Sequence, residues 1–266
     1  MRIKKICAKG EDRLFINLCG LDIEYSITGS GDIPVILLHG WGSSFDVYGG
    51  VTAALSDRCK LYALNFPGCK NSEIMKEPWT LDDYCRLVKE FADSFKIENP
   101  VIIGHSHGGR TALKLAASGI LNPSKLVLID SAGLIPKKSL KQKLKVKSFK
   151  MIKSVLSLPV FKNHSKALLD KARSHYGSAD YNAAPLVLRK TLVSLVNTDL
   201  RDIIPNIKCP TLLIWGDNDT ATPLIDGKTI ASLIPDSGIC VLKNTGHFSF
   251  CEKPYDTARI LQSFIN

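Results

Sequence analysis

The segment Val101-Ile102-Ile103-Gly104-His105-Ser106-His107-Gly108-Gly109-Arg110-Thr111-Ala112-Leu113-Lys114-Leu115-Ala116-Ala117 passes from a wholly apolar tripeptide, through a serine set among glycines, into a good helix former. An apolar run of this kind suits a strand buried on both faces. Gly104-His105-Ser106-His107-Gly108 fits G-x-S-x-G, in which small residues let the chain turn sharply from strand to helix. Such a turn lifts the Ser106 hydroxyl out of the sheet and sets it at a helix N-terminus, where the dipole favours developing negative charge. The pentapeptide alone is a moderate signal. Its strand-to-helix context makes it specific.

Outward from this turn the same rhythm repeats. Pro34 to Leu38, Leu61 to Leu64, Leu126 to Ile129, Leu212 to Trp215 and Ile239 to Leu242 are further apolar runs of strand length. Near the start, Leu14 to Leu18 and Ile23 to Ile27 read as two strands, with Cys19-Gly20-Leu21-Asp22 between them as a hairpin turn. Thr80 to Phe95 reads as a helix: Thr80 and Asp83 have capping-box spacing, and Leu81, Tyr84, Leu87, Val88 and Phe91 fall on one face. Strands alternating with helices predict an α/β protein with a mostly parallel eight-stranded sheet flanked by helices.

The rhythm breaks at Ser131 and resumes at Pro210. The interval is helix-compatible and poor in strands, so it reads as a helical cap, residues 131–208, inserted after the sixth strand. The core is then residues 1–130 and 209–266. Charge marks the same segment. The chain carries a net +10, yet residues 131–208 alone hold sixteen Lys/Arg against four Asp/Glu, a net +12, which leaves the rest at −2.

The 266 residues, 45% of them hydrophobic, suffice for a large core without disulfides. The eight cysteines show neither CxxC nor zinc-ligand spacing and read as reduced, small core residues. The basic N-terminus has no apolar stretch behind it for a signal peptide, and no run is long enough to span a membrane. These features predict a cytoplasmic protein.

A serine hydroxyl is a weak nucleophile near neutral pH and needs a base within hydrogen-bond reach. Six histidines are available: His39, His105, His107, His164, His175 and His247. His105 and His107 flank Ser106 on a turn too tight to aim them at its side chain. His247 follows the last strand, at the carboxyl edge where open α/β sheets place their sites, and is the expected base. The base needs an acid to set its tautomer. Asp217 and Asp219 follow the strand Leu212 to Trp215, and Asp130 ends the preceding strand. Neither Cys69 nor Cys251 sits at a strand-to-helix turn, which argues against a thiol nucleophile.

His39-Gly40-Trp41-Gly42, the turn Gly104 to Gly109, Gly216-Asp217-Asn218-Asp219 and Gly246-His247-Phe248 together resemble the α/β-hydrolase family, in its branch of small capped serine esterases and C–C hydrolases. The resemblance covers essentially the whole chain. It implies Ser106, Asp219 and His247 as catalytic triad, with Asp219 as the acid of a G-x-x-D and Asp217 as a turn cap. It also implies an oxyanion hole from the backbone N–H groups of Trp41 and His107, and no metal or organic cofactor. Serine at the turn argues against the related dehalogenases and epoxide hydrolases, which use aspartate there.

Two departures stand out. Asn65-Phe66-Pro67-Gly68-Cys69-Lys70-Asn71-Ser72 replaces the common Asp-x-Pro-Gly-x-Gly-x-Ser, which puts that loop's shape in doubt. His107 replaces the Met or aromatic residue common after the nucleophile.

Lys137, Lys138, Lys141, Lys143, Lys145, Lys147, Lys150 and Lys153 crowd the start of the cap, interleaved with apolar residues. A solvated helix face accounts for this pattern. Recognition of an acidic carrier protein or an anionic surface is the sharper reading, since some family carboxylesterases cleave acyl groups held on acidic acyl-carrier proteins. No nucleic-acid motif accompanies the charge. The expected activity is hydrolysis of a small-molecule carboxylic ester with a small or medium apolar acyl group. The rivals are C–C bond hydrolysis or perhydrolysis on the same triad, and a receptor that keeps a hydrolase pocket for binding.

Overall fold

The computed structural model describes residues 3–8, 11–135 and 184–265. Strands β1 (Ile3–Ala8), β2 (Glu11–Leu18), β3 (Leu21–Thr28), β4 (Ile33–Leu38), β5 (Cys59–Leu64), β6 (Val101–His105), β7 (Lys125–Ile129), β8 (Thr211–Gly216) and β9 (Ser237–Leu242) form one sheet. Their order is β1-β2-β3-β5-β4-β6-β7-β8-β9. The first four in that order pair antiparallel, and every pair from β5 to β9 is parallel.

The eight expected strands are β2 to β9, and a ninth, β1, extends the antiparallel edge. Sequence reading passed over β1 because an edge strand needs no continuous apolar run, and lysines such as Lys4 and Lys5 are common at sheet edges. The opposite edge also departs from expectation. The apolar run in β9 is not buried on both faces, and Val241 is 38% exposed.

Local chemistry accounts for the elements. Between β2 and β3, Cys19 and Gly20 have φ of 52° and 77°, the paired positive values that match a two-residue turn to strand twist. Helix α1 covers Gly49–Leu55 and α2 covers Leu81–Ser94. The Thr80 N–H donates to the Asp83 carboxylate at 2.8 Å, so the capping box starts α2 as its spacing predicts. Alternate strand residues feed two cores. Ile36, Leu38, Ile102, Leu126, Leu128, Leu213 and Trp215 pack under α2 and α3 (His107–Ala117). Val35, Leu37, Val101, Ile103, Val127, Ile129 and Ile214 pack on the other face.

Of the expected cap, residues 131–135 and 184–208 are described, including α4 (Leu186–Val196). The lysine-rich run from Lys137 to Lys153 lies outside the described residues. Helix α4 is tied to the core at two points. The buried Arg110 guanidinium donates to the carbonyls of Leu195 and Thr198 at its C-terminal end, and the Trp79 N–H donates to Thr191 Oγ1 at 2.9 Å. After β8 come α5 (Leu224–Leu233), α6 (Ser249–Glu252) and α7 (Pro254–Ile265). No helix among the described residues is long and apolar enough to cross a membrane.

Candidate active site

Ser106 stands between β6 and α3 with φ 51° and ψ −111°, a strained conformation for a residue with a side chain. Its surroundings hold it there. The Ser106 N–H donates to Ile129 O at 3.1 Å, and its carbonyl accepts from Arg110 N–H and Ala132 N–H, each at 3.0 Å. The flanking glycines leave no room for a methyl group. A Cβ on Gly104 would lie 2.6 Å from Gly108 O, and one on Gly108 would lie 1.9 Å from Leu38 O. We therefore expect Gly108→Ala to destabilise the fold by about 3 kcal/mol or more, read as a lowered urea midpoint, because backbone rather than a flexible side chain must move. A midpoint within error of the parent protein would contradict this crowding.

The loop after β4 approaches the same turn. A Cβ on Gly40 would sit 2.8 Å from His105 Nδ1 and 3.2 Å from Ser106 Cβ, so only glycine fits at this point. The loop is held by His39, whose Nδ1–H donates to Gly40 O at 2.7 Å while its Nε2 accepts the Phe66 N–H at 2.9 Å. Burial pulls the His39 pKa down to about 4, so its ring is a neutral brace.

His247 follows β9 and Asp219 follows β8. The Ser106 hydroxyl lies 3.0 Å from His247 Nε2, and His247 Nδ1 lies 2.8 Å from Asp219 Oδ2. A carboxylate only accepts, so the imidazole proton belongs on Nδ1 and Nε2 is free to accept from Ser106. Burial pushes the Asp219 carboxyl up, but hydrogen bonds from His247 and Thr222 outweigh it and hold the group below the usual carboxylate range. Asp219 Oδ1 also accepts the N–H groups of Ala221 and Thr222 at 2.8 and 3.0 Å.

The other two candidate acids have separate partners. Asp217 Oδ1 accepts the Asn244 N–H at 2.7 Å, so the turn it caps is the one after β9 rather than its own, the one expected from the sequence. Asp130 is fully buried and accepts from Gly216 and Ser249. Sequence reading missed Thr222, whose Oγ1 lies 2.7 Å from Asp219 Oδ2 and 3.2 Å from His247 Nδ1. Its only local signal is its place three residues after Asp219, where a side chain can return to the turn.

Neither histidine beside Ser106 faces its hydroxyl. His105 Nε2–H donates to the His247 carbonyl at 2.7 Å, which steadies the backbone of that residue. His107 lies among Trp41, Phe66 and Tyr84, with ring centroids 5.9, 5.2 and 4.5 Å away. Burial holds both rings neutral, lowering His105 to about 3 and His107 well below its ordinary value.

Trp41 and His107 line a pocket of about 300 Å³ together with Phe66, Tyr84 and Leu188. His107 is the first residue of α3, where backbone N–H groups have no intrahelical acceptor. The variant loop Asn65 to Ser72 is tied to buried Glu24, which accepts from the side-chain amides of Asn65 and Asn71 at 2.8 Å each. The seven cysteines whose side chains are described are unpaired. Burial pushes the Cys69 thiol up to about 11 and raises that of Cys251, so neither is poised as a thiolate. Among the described residues no group of three or more His, Cys, Asp or Glu side chains could hold a metal ion.

A mostly parallel sheet with a strained serine turn and a carboxyl-edge histidine defines an α/β hydrolase. The sequence model of the Alpha/beta hydrolase family matches residues 35–260, and the chain belongs to that family. It is 25% identical to a pimeloyl-[acyl-carrier protein] methyl ester esterase of Aeromonas hydrophila, over 87% of this chain and 94% of that one. It is likewise 25% identical to a 2-hydroxy-6-oxo-6-(2'-aminophenyl)hexa-2,4-dienoic acid hydrolase of Metapseudomonas resinovorans, over 95% of this chain and 90% of that one. Among solved structures, the enol-lactonase of Burkholderia xenovorans LB400 superposes with a TM-score of 0.73 at 22% identity, covering 94% of this chain and 99% of that one. The last comparison speaks to fold alone. The protein is a hydrolase of this family.

Proposed function

We propose that the protein is a serine esterase that cleaves a carboxylic ester of small or medium acyl length through an acyl-enzyme intermediate. The observation that carries this reading is the hydrogen-bonded line from Ser106 through His247 to Asp219. His247 Nε2 takes the hydroxyl proton as Ser106 Oγ bonds to the ester carbonyl carbon. Negative charge then gathers on the former carbonyl oxygen, and the backbone N–H groups of Trp41 and His107 stabilise it. As the tetrahedral intermediate collapses, the C–O bond to the alcohol breaks and the alcohol leaves with the proton held on His247. Water repeats the sequence: His247 accepts its proton, hydroxide adds to the acyl carbon, and Ser106 Oγ leaves reprotonated. Throughout, Asp219 stays ionised and supports the imidazolium.

The pocket of about 300 Å³ supports an acyl group at the small end of ligand size, and its walls of Trp41, Phe66, Tyr84 and Leu188 support an apolar one. Turnover of p-nitrophenyl esters of rising acyl length tests this. We expect a peak in kcat/KM at short to medium chains. No turnover of any ester would remove the esterase reading and bring forward C–C hydrolysis, favoured by the dienoic acid hydrolase relative.

The lysine run from Lys137 to Lys153 supports docking of an acidic acyl carrier, and one relative is named as acting on an acyl-carrier-protein ester. Lys→Glu changes at 137, 141 and 145 are expected to raise KM for a carrier-borne ester at least tenfold, with free p-nitrophenyl esters unaffected. Unaltered KM for the carrier-borne ester would dismiss the carrier.

A further inference from the structure

We propose that Asp130 is a positioning residue that holds the base loop and the acid loop in register with Ser106. This role rests on the serine-hydrolase reading above. Asp130 directly follows β7, 24 positions beyond Ser106, and its carboxylate gathers donors from two other segments. Oδ1 accepts the Gly216 N–H at 2.8 Å, and Oδ2 accepts the Ser249 N–H at 3.0 Å and the Ser249 hydroxyl at 2.7 Å. Gly216 opens the turn that carries Asp219, and Ser249 lies two residues after His247.

The backbone of the same residue adds to the junction. The Asp130 N–H donates to Ile214 O at 3.0 Å, and its carbonyl oxygen lies 2.9 Å from Thr222 Oγ1. The residues on either side grip the nucleophile turn, Ile129 O accepting the Ser106 N–H and Ala132 N–H donating to Ser106 O. Three residues, Ile129, Asp130 and Ala132, thus touch the segments bearing Ser106, Asp219 and His247.

Two features say that this junction is costly to keep. Asp130 has φ 44°, in the left-handed region that few side chains adopt. Its carboxyl is wholly buried, and burial pushes its pKa up to about 7 against the pull of donors from Ser249 and Gly216. A buried carboxylate is unfavourable unless its oxygens are satisfied, and here both are. Their donors come from 86 and 119 residues away, so the group joins distant loops rather than finishing a local turn.

Asp130→Asn is the informative change, since asparagine tolerates the left-handed backbone and matches aspartate in size. One side of its amide must present N–H to an N–H donor, which breaks one arm of the clamp. The experiment titrates Ser106 with a fluorophosphonate, reading labelled fraction and labelling rate separately, alongside kcat and KM on a p-nitrophenyl ester. Displacement of the base should leave the labelled fraction complete and KM within about twofold, while labelling rate and kcat both fall about 10- to 100-fold. Ser249→Ala, which removes one donor, should cause a smaller fall in both rates. The double variant should cost less than the product of the two, because they share a contact.

A reduced labelled fraction with the native rate per labelled site would make Asp130 a folding residue only. Native fraction and native rate together would overturn the proposal as well. If Asp130→Asn yields no folded protein, Ser249→Ala is judged by the same two readings. Failure of the unaltered protein to label at Ser106 would instead sink the hydrolase reading of the site.

Discussion

Ser106→Ala is expected to lower kcat for p-nitrophenyl esters by about 10⁶-fold, the scale on which loss of a triad nucleophile is felt. KM should move little, because the apolar pocket proposed for the acyl group is lined by other residues. Alanine keeps the Cβ, so the strain at φ 51° is the same before and after, and the lost contact is the 3.0 Å bond to His247. The melting temperature should therefore stay within a few degrees of the parent value. If His247 acts only through Ser106, His247→Ala added to Ser106→Ala should cost almost nothing more, since the two residues form one catalytic unit. Steady-state rates on the single and double variants check this. A Ser106→Ala protein that retained a tenth of the parent rate would remove the nucleophile from Ser106.

The second large effect concerns the acid. Asp219→Asn should reduce kcat by about 10⁴-fold with little loss of stability. Its remaining oxygen can still accept from the Ala221 and Thr222 N–H groups at 2.8 and 3.0 Å, so the amide nitrogen turns toward His247. An N–H facing Nδ1 forces the imidazole proton onto Nε2, so that nitrogen donates toward Ser106 and can no longer accept the hydroxyl proton. Asp217→Asn provides the contrast. Asp217 binds the Asn244 N–H, and its loss should change kcat less than about threefold. Equal losses from the two changes would mean that the fall reflects the loop rather than the imidazole.

Much of the architecture was readable because it depends on local pattern. The parallel strands are apolar on both faces, so they stand out in a single sequence, and α2 announces its start through Thr80 and Asp83. The Cys19-Gly20 turn was readable for the same reason. Strand β1 was not, because Lys4 and Lys5 interrupt its apolar residues, as an edge strand permits. At the site, Ser106 was legible from its glycines, whose crowding is a property of the turn itself. His247 was legible from its place after the last strand. The choice among Asp130, Asp217 and Asp219 depended on family resemblance, for all three follow strands at the same edge.

By itself, then, the sequence determined the sheet-and-helix alternation, the strained turn that exposes Ser106, and the short list of groups near it. These follow from side-chain period and backbone freedom, which act over a few residues. Only the tertiary structure decided that Asp219 faces His247 while Asp217 caps a turn and Asp130 ties two loops. It alone placed Thr222 beside the acid and set His107 among Trp41, Phe66 and Tyr84. A hydrogen bond requires atoms within about 3 Å, and partners 28 to 141 residues apart reach that distance only after the sheet has assembled and brought its loop ends together.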